Sequence, residues 1–191
     1  MRALLPFICL LFLFLPQGVV AEPYRYSLSV YGAQLTSNNF EDFFLGKKIA
    51  PRNSYLATIA LARRLGGWRD RLSYELEGQL VKHFKLQDHW EFNLLGVLRW
   101  ERFPWDRWID SSAAFGLGGS WATQKPKIEL DNDGTTAQLL VYWMLELAVV
   151  PVKSQPQIEL FGRVHHRSDA FGLVADDGGS NALALGVKYR F

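Results

Sequence analysis

Large apolar residues alternate with small or polar ones from Leu183 to Phe191: Leu183, Leu185, Val187, Tyr189 and Phe191 share one parity, and Ala184, Gly186, Lys188 and Arg190 the other. Successive side chains of a strand point to opposite faces, so this segment reads as a β-strand with one apolar and one polar face. The pattern recurs. Leu72, Tyr74, Leu76, Gly78 and Leu80 oppose Ser73, Glu75, Glu77 and Gln79; Trp90, Phe92, Leu94, Gly96, Leu98 and Trp100 oppose Glu91, Asn93 and Arg99; Leu139, Val141, Trp143, Leu145, Leu147 and Val149 oppose Gln138, Tyr142 and Glu146. Segments of strand length fall at 24–35, 53–65, 69–83, 89–102, 108–122, 136–150, 156–168 and 181–191. Charged residues interrupt every apolar run after Ala21, so a membrane is crossed by strands or not at all. Eight strands suffice to close a small barrel, and the expected fold is all-β: an eight-stranded antiparallel transmembrane β-barrel with carboxylates and Arg paired in its lumen. A soluble barrel with one wetted face would alternate in the same way.

The ends and connections add direction. Arg2, the apolar stretch from Ala3 to Leu15 and the small residues Val19-Val20-Ala21 have the layout of an export signal, which divides the chain into a signal peptide at 1–21 and a barrel domain at 22–191. The single Cys9 lies inside the apolar stretch, so no disulfide or lipid anchor is expected. With a periplasmic start, the turns at Gly66-Gly67, at Phe103 to Asp106 and at Pro151 to Pro156 fall on the periplasmic side, and 36–52, 84–88, 123–135 and 169–180 on the outer side. A short helical turn is expected from Asn38 to Leu45. Seven Trp, seven Tyr and thirteen Phe suit interfacial girdles, although a carbohydrate-binding sandwich also uses such residues. With 21 basic against 19 acidic residues, the charge argues against a nucleic-acid partner.

Candidate chemistry gathers in Val164 to Gly172. Parity places Ile158, Leu160, Gly162, Val164, His166 and Ser168 outward, and Glu159, Phe161, Arg163, His165 and Arg167 inward. Residues two apart on a strand lie roughly 6 to 7 Å apart at Cα, so the imidazole of His166 can reach the hydroxyl of Ser168 as a base and nucleophile pair. Polar residues marking where a strand leaves the hydrocarbon would look the same. No metal-ligand set is apparent, because His165 and His166 face opposite ways and His83 and His89 stand at either end of a separate loop. No cofactor is expected.

In length, strand count and the position of His166-Arg167-Ser168 before the last strand, the chain resembles the PagL family of outer-membrane lipid A 3-O-deacylases. The family motif of His, any residue, Ser, Asn and then Gly falls on His166, Arg167, Ser168, Asp169 and Gly172, with Phe171 as an insertion. The resemblance implies an esterase of the bacterial outer membrane that removes an ester-linked acyl chain from lipid A. Its implied partners are lipopolysaccharide and the surrounding lipids, with a homodimer left open. Two positions depart from the family. Its Asn is Asp169 here, and its Glu should fall near Ser180 or Asn181, yet no Glu follows Glu159. Asp177 is the candidate replacement acid, with Asp176 beside it; the backbone from Asp169 to Gly172 is the candidate oxyanion support; and Ser180 or Asn181 in the acid's place would mark a degenerate site or a weak triad in which a hydroxyl or amide merely holds the ring. Loss of the acid leaves a second reading open, a non-catalytic lipid-binding or structural barrel; an unrelated porin-like or adhesive barrel is a third.

Overall fold

The computed structural model describes residues 24–38, 42–43 and 45–191. The expected signal peptide, and residues 39–41 and 44 of the expected turn at Asn38 to Leu45, lie outside them. Eight strands, β1 (Tyr26–Thr36), β2 (Pro51–Trp68), β3 (Leu72–Lys85), β4 (Trp90–Trp100), β5 (Ser111–Ala122), β6 (Leu139–Val149), β7 (Ile158–Ser168) and β8 (Gly179–Arg190), pair in chain order, and β8 closes onto β1. Every pairing is antiparallel. Closure leaves no strand edge unpaired, which is the condition for a sheet surrounded by lipid. No helix among the described residues is long and apolar enough to cross a membrane.

The two-residue period sorts side chains as the sequence indicates. Leu28, Val30, Ile59, Leu61, Leu94, Leu117, Leu147 and Leu185 stand exposed on the outer wall. Inside, Arg99 Nε and Nη1 donate to Glu75 and Glu146 at 2.9 and 2.8 Å, Arg163 to Glu77 and Glu146 at 2.7 and 2.6 Å, and Lys188 to Glu146 at 2.5 Å. Tyr31, Phe161, Tyr142, Met144 and Leu95 fill the space between these charges. The lumen is therefore packed with charge pairs and rings, and an apolar exterior around a polar core is the inverse of a water-soluble barrel.

The connections differ from the sequence reading in two places. Gly66 and Gly67 lie within β2, where the register with β3 shifts between Arg64 and Gly66. The turn itself is Arg69-Asp70, both with positive φ (51° and 54°), the arrangement of a tight hairpin whose twist matches its strands. Gly66 is needed for space: a Cβ there would come within 2.7 Å of the Tyr74 ring. The second difference is a helix in the connection 123–138, α1 (Lys127–Asp133), ended by Gly134 at φ 78°. It turns Ile128 and Glu129 into the barrel mouth. Glu129 accepts from Arg167 Nε (2.9 Å), Ser180 Oγ (2.8 Å) and Thr136 Oγ1 (2.6 Å). A buried carboxylate bonded on three sides anchors the helix over the rim that carries the ends of β7 and β8.

Candidate functional site

Register builds this site. On the outer wall β7 runs between β6 and β8, and the ladders set Trp143, His166 and Asn181 side by side, with Val141, Ser168 and Gly179 in the row two residues nearer the rim. The Trp143 and His166 rings pack at 4.4 Å between centroids. His166 Nδ1 lies 2.6 Å from Asn181 Oδ1. Asn181 Nδ2 donates to the Asn38 carbonyl at 2.9 Å, which fixes the amide with its oxygen toward the imidazole. His166 is therefore held as the Nδ1–H tautomer, the form in which Nε2 carries the basic lone pair. Asn38 is itself tied down: its Oδ1 accepts from Ala50 N–H at 2.7 Å and its Nδ2 donates to the Lys48 carbonyl at 3.1 Å. Asn38, tied to Lys48 and Ala50, thus packs against Asn181.

The connection 169–178 supports Ser168 from the other side. Asp169 N–H donates to the Gly178 carbonyl at 2.9 Å, closing the loop at its base. Ala170, Phe171 and Gly172 all take the left-handed conformation, with φ of 56°, 58° and 78°. Two non-glycine residues in that region are costly and need fixing. Asp169 does this, since its Oδ2 accepts from Gly172 N–H at 2.7 Å, and Ser168 Oγ accepts from Ala170 N–H at 3.0 Å. The Ser168 hydroxyl is turned toward Asp169 Oδ1 at 3.4 Å. Three of the four backbone donors considered for an oxyanion, those of Asp169, Ala170 and Gly172, are thus engaged within the loop, and Asp169 orders the turn as an acceptor.

The other sequence candidates separate cleanly. Asp177 is exposed, and its Oδ1 accepts from Gly178 N–H at 2.8 Å. It lies inside the loop, one residue before the closing bond and four residues before Asn181, so the ladder brings Asn181 to the ring in its place. Asp176 is exposed as well. Ser180 has the opposite parity and points inward to Glu129. The structure therefore brings His166, Ser168 and Asn181 onto one patch with Asp169 and Gly172 at its edge, and leaves Asp177 on the rim.

A groove of about 840 Å³ opens over this patch. Phe115, Leu145, Trp143 and Phe171 form an apolar wall, and Asn38, Asp133 and Asp177 a polar one. Phe171 is fully exposed and Leu173 nearly so, giving the loop an apolar tip at the mouth. At Asp133, burial and the neighbouring carboxylates of Asp177, Glu129 and Asp169 push the carboxyl above its ordinary range, while a bond from the Gly179 backbone opposes them. Such an amphipathic groove suits a molecule with a long apolar part and a polar part held at the rim.

A second cluster, missed in the sequence, lies inside the same end of the barrel. His83 N–H donates to the His89 carbonyl across the β3–β4 hairpin, and their rings stack at 4.2 Å. Glu91 sits between them and His165: Oε2 is 2.9 Å from His83 Nε2, and Oε1 is 3.0 Å from His165 Nε2 and 2.8 Å from Asn93 Nδ2. Strands β3, β4 and β7 and the β3–β4 loop contribute these residues, and barrel closure brings His165 to the hairpin.

No protein-family model and no curated protein matches the sequence. Two solved structures are similar in fold. The outer membrane enzyme PagL superposes with a TM-score of 0.64 at 12% identity, covering 86% of this chain and 99% of that one. Neisserial surface protein A gives 0.50 at 11% identity, covering 87% and 97%. The chain therefore has the eight-stranded barrel fold of these outer-membrane proteins.

Proposed function

We propose that this chain is a bacterial outer-membrane esterase that takes a membrane lipid from the outer leaflet and hydrolyses one ester-linked acyl chain, with lipid A as the substrate. The observation that carries the reading is the 2.6 Å bond from His166 to an Asn181 amide whose orientation Asn38 fixes. A histidine oriented at one nitrogen by an amide, on the same strand face as a serine two residues on, is the arrangement needed for base-assisted acyl transfer. The acyl chain would lie along Phe115, Leu145 and Trp143, with the ester at Ser168 and the sugar under the polar rim.

In this mechanism the Ser168 hydroxyl turns from Asp169 to His166, gives its proton to Nε2 and attacks the ester carbonyl. The tetrahedral intermediate collapses to an acyl-serine, and His166 returns the proton to the leaving sugar oxygen. Water, deprotonated by the same Nε2, then releases the fatty acid and restores Ser168. Asn181 keeps the ring in its tautomer throughout; unlike a carboxylate, it adds no charge to stabilise the imidazolium. Oxyanion stabilisation comes from Gly172 N–H once it leaves Asp169 Oδ2.

A second reading is an acyl-binding barrel without hydrolysis. The bonds that engage Ser168 and Gly172 within the loop favour it. Mass spectrometry of lipid A from cells expressing the wild type, Ser168→Ala and His166→Ala separates the two. Loss of one ester-linked chain in the wild type alone supports the esterase; a folded, membrane-inserted wild type that leaves every chain intact moves the assignment to the binding barrel.

A further inference from the structure

We infer that the lumen beneath α1 holds a divalent transition-metal site, of the kind that takes Zn²⁺ or Co²⁺, with His83, His89 and Glu91 as ligands. One ligating atom from each residue lies within 4.8 Å of the other two. All three are buried, at 2%, 3% and 0% exposure. His89 Nε2 is enclosed and has no hydrogen-bond partner among the described residues. A buried imidazole nitrogen without a partner is costly, and a bound cation supplies the missing one.

The surroundings are built as a ligand's second shell is. Glu91 Oε1 is occupied by His165 Nε2 and Asn93 Nδ2, which leaves Oε2 directed at His83. Gln87 lies 2.9 Å from His83 Nδ1, the position of an outer partner that fixes the tautomer of a ligating imidazole. Two nitrogens and one carboxylate oxygen form a set that divalent zinc accepts, with a fourth place for water.

Metal uptake needs small movements only. His83 Nε2 and Glu91 Oε2 are 2.9 Å apart, bridged by a proton that the cation replaces. Gln87 then turns its carbonyl to accept from His83 Nδ1–H. The stacked rings must splay, because imidazole lone pairs lie in the ring plane; His89 turns about its Cβ–Cγ bond until its Nε2 meets the other two atoms. The site is separate from the wall patch of His166 and Ser168, since His83 and Glu91 have inward parity and His166 outward.

The test uses the protein purified from membranes in detergent, stripped with a chelator and titrated with Co²⁺ and with Zn²⁺. The expected result is one equivalent bound, with visible d–d bands of a four-coordinate Co²⁺ that Zn²⁺ bleaches. His89→Ala should lose more affinity than the roughly 10- to 100-fold typical of an outer-shell partner, and His166→Ala should lose none. His89→Ala also keeps the test independent of folding, because it removes a nitrogen that bonds nothing; heat-modifiable gel migration checks the barrel. Failure of the wild type to bind either metal overturns the assignment, as does a folded His89→Ala that binds as tightly as the wild type.

Discussion

Replacing Asn181 by Asp tests the esterase reading at its weakest joint. Asn181 Oδ1 accepts the His166 Nδ1 proton at 2.6 Å, so a carboxylate there would sit against the ring with a full charge. With charge centres about 4 Å apart and an effective dielectric near 20, the pair is worth on the order of 4 kcal/mol to the imidazolium formed during acyl transfer. Desolvation of the new carboxylate and loss of the bond to the Asn38 carbonyl reduce this to a net gain of about 1–3 kcal/mol. At about 1.4 kcal/mol per decade, Asn181→Asp should raise the rate roughly 5- to 100-fold. Asn181→Ala, which removes the bond to Nδ1, should lower it by on the order of 10²-fold. The assay is release of fatty acid from lipid A in mixed micelles at matched protein, with gel migration confirming the barrel. A folded Asn181→Ala that keeps the wild-type rate would refute the positioning role, and so would an Asn181→Asp that is slower than Asn181→Ala.

Two further expectations concern the frame around the site. Arg167→Gln or Glu129→Gln alone should destabilise the barrel by about 3–5 kcal/mol and expose the connection 123–138 to protease, while the double change recovers part of the loss; unaltered thermal unfolding in both singles would show that α1 is not anchored through this pair. At the opposite rim, burial pushes Glu101 up, but Arg190, Arg99, the Ser73 hydroxyl and Arg64 outweigh it and hold the carboxyl below its ordinary range. A carboxyl lowered in the fold stabilises fully above its unfolded value of 4.5 and loses that contribution as the pH falls through the folded value. Glu101→Gln should therefore lower the thermal midpoint at about pH 7 and have little effect near pH 2; equal effects at both would exclude the electrostatic origin.

The strands were legible because lipid and a packed lumen impose opposite demands on alternate residues. The period is clear in 72–80 and 183–190 and is broken in 90–100 only by the inward Leu95 and Val97, and the observed strands cover these segments. What the period cannot place is a turn whose strands continue through glycine. Gly66-Gly67 reads as a hairpin tip, yet the ladder runs on to Trp68 and the reversal falls on Arg69-Asp70, where neither residue type demands a positive φ. Helix α1 was hidden for a different reason. Pro126 and Gly134 bracket it as start and stop signals, but its buried face includes Glu129, which burial penalises until Arg167, Ser180 and Thr136 surround it. Those partners lie on β7, on β8 and beyond the helix, so the signal is tertiary.

The same distinction explains the site. Parity alone places His166 and Ser168 on the outer wall, because it depends only on counting along one strand. Identifying the residue that holds His166 requires the register of β7 against β8, and that is set by the loop between them. The bond from Asp169 N–H to the Gly178 carbonyl closes this loop, and from there the ladder runs through Ser168 with Gly179 to His166 with Asn181. A carboxylate in the loop, however acidic its neighbourhood, lies outside this ladder. Asp177 instead bonds the Gly178 N–H inside the loop. The residue against His166 is thus chosen by strand pairing, and the chemistry available to the barrel depends on Asn181 occupying that position.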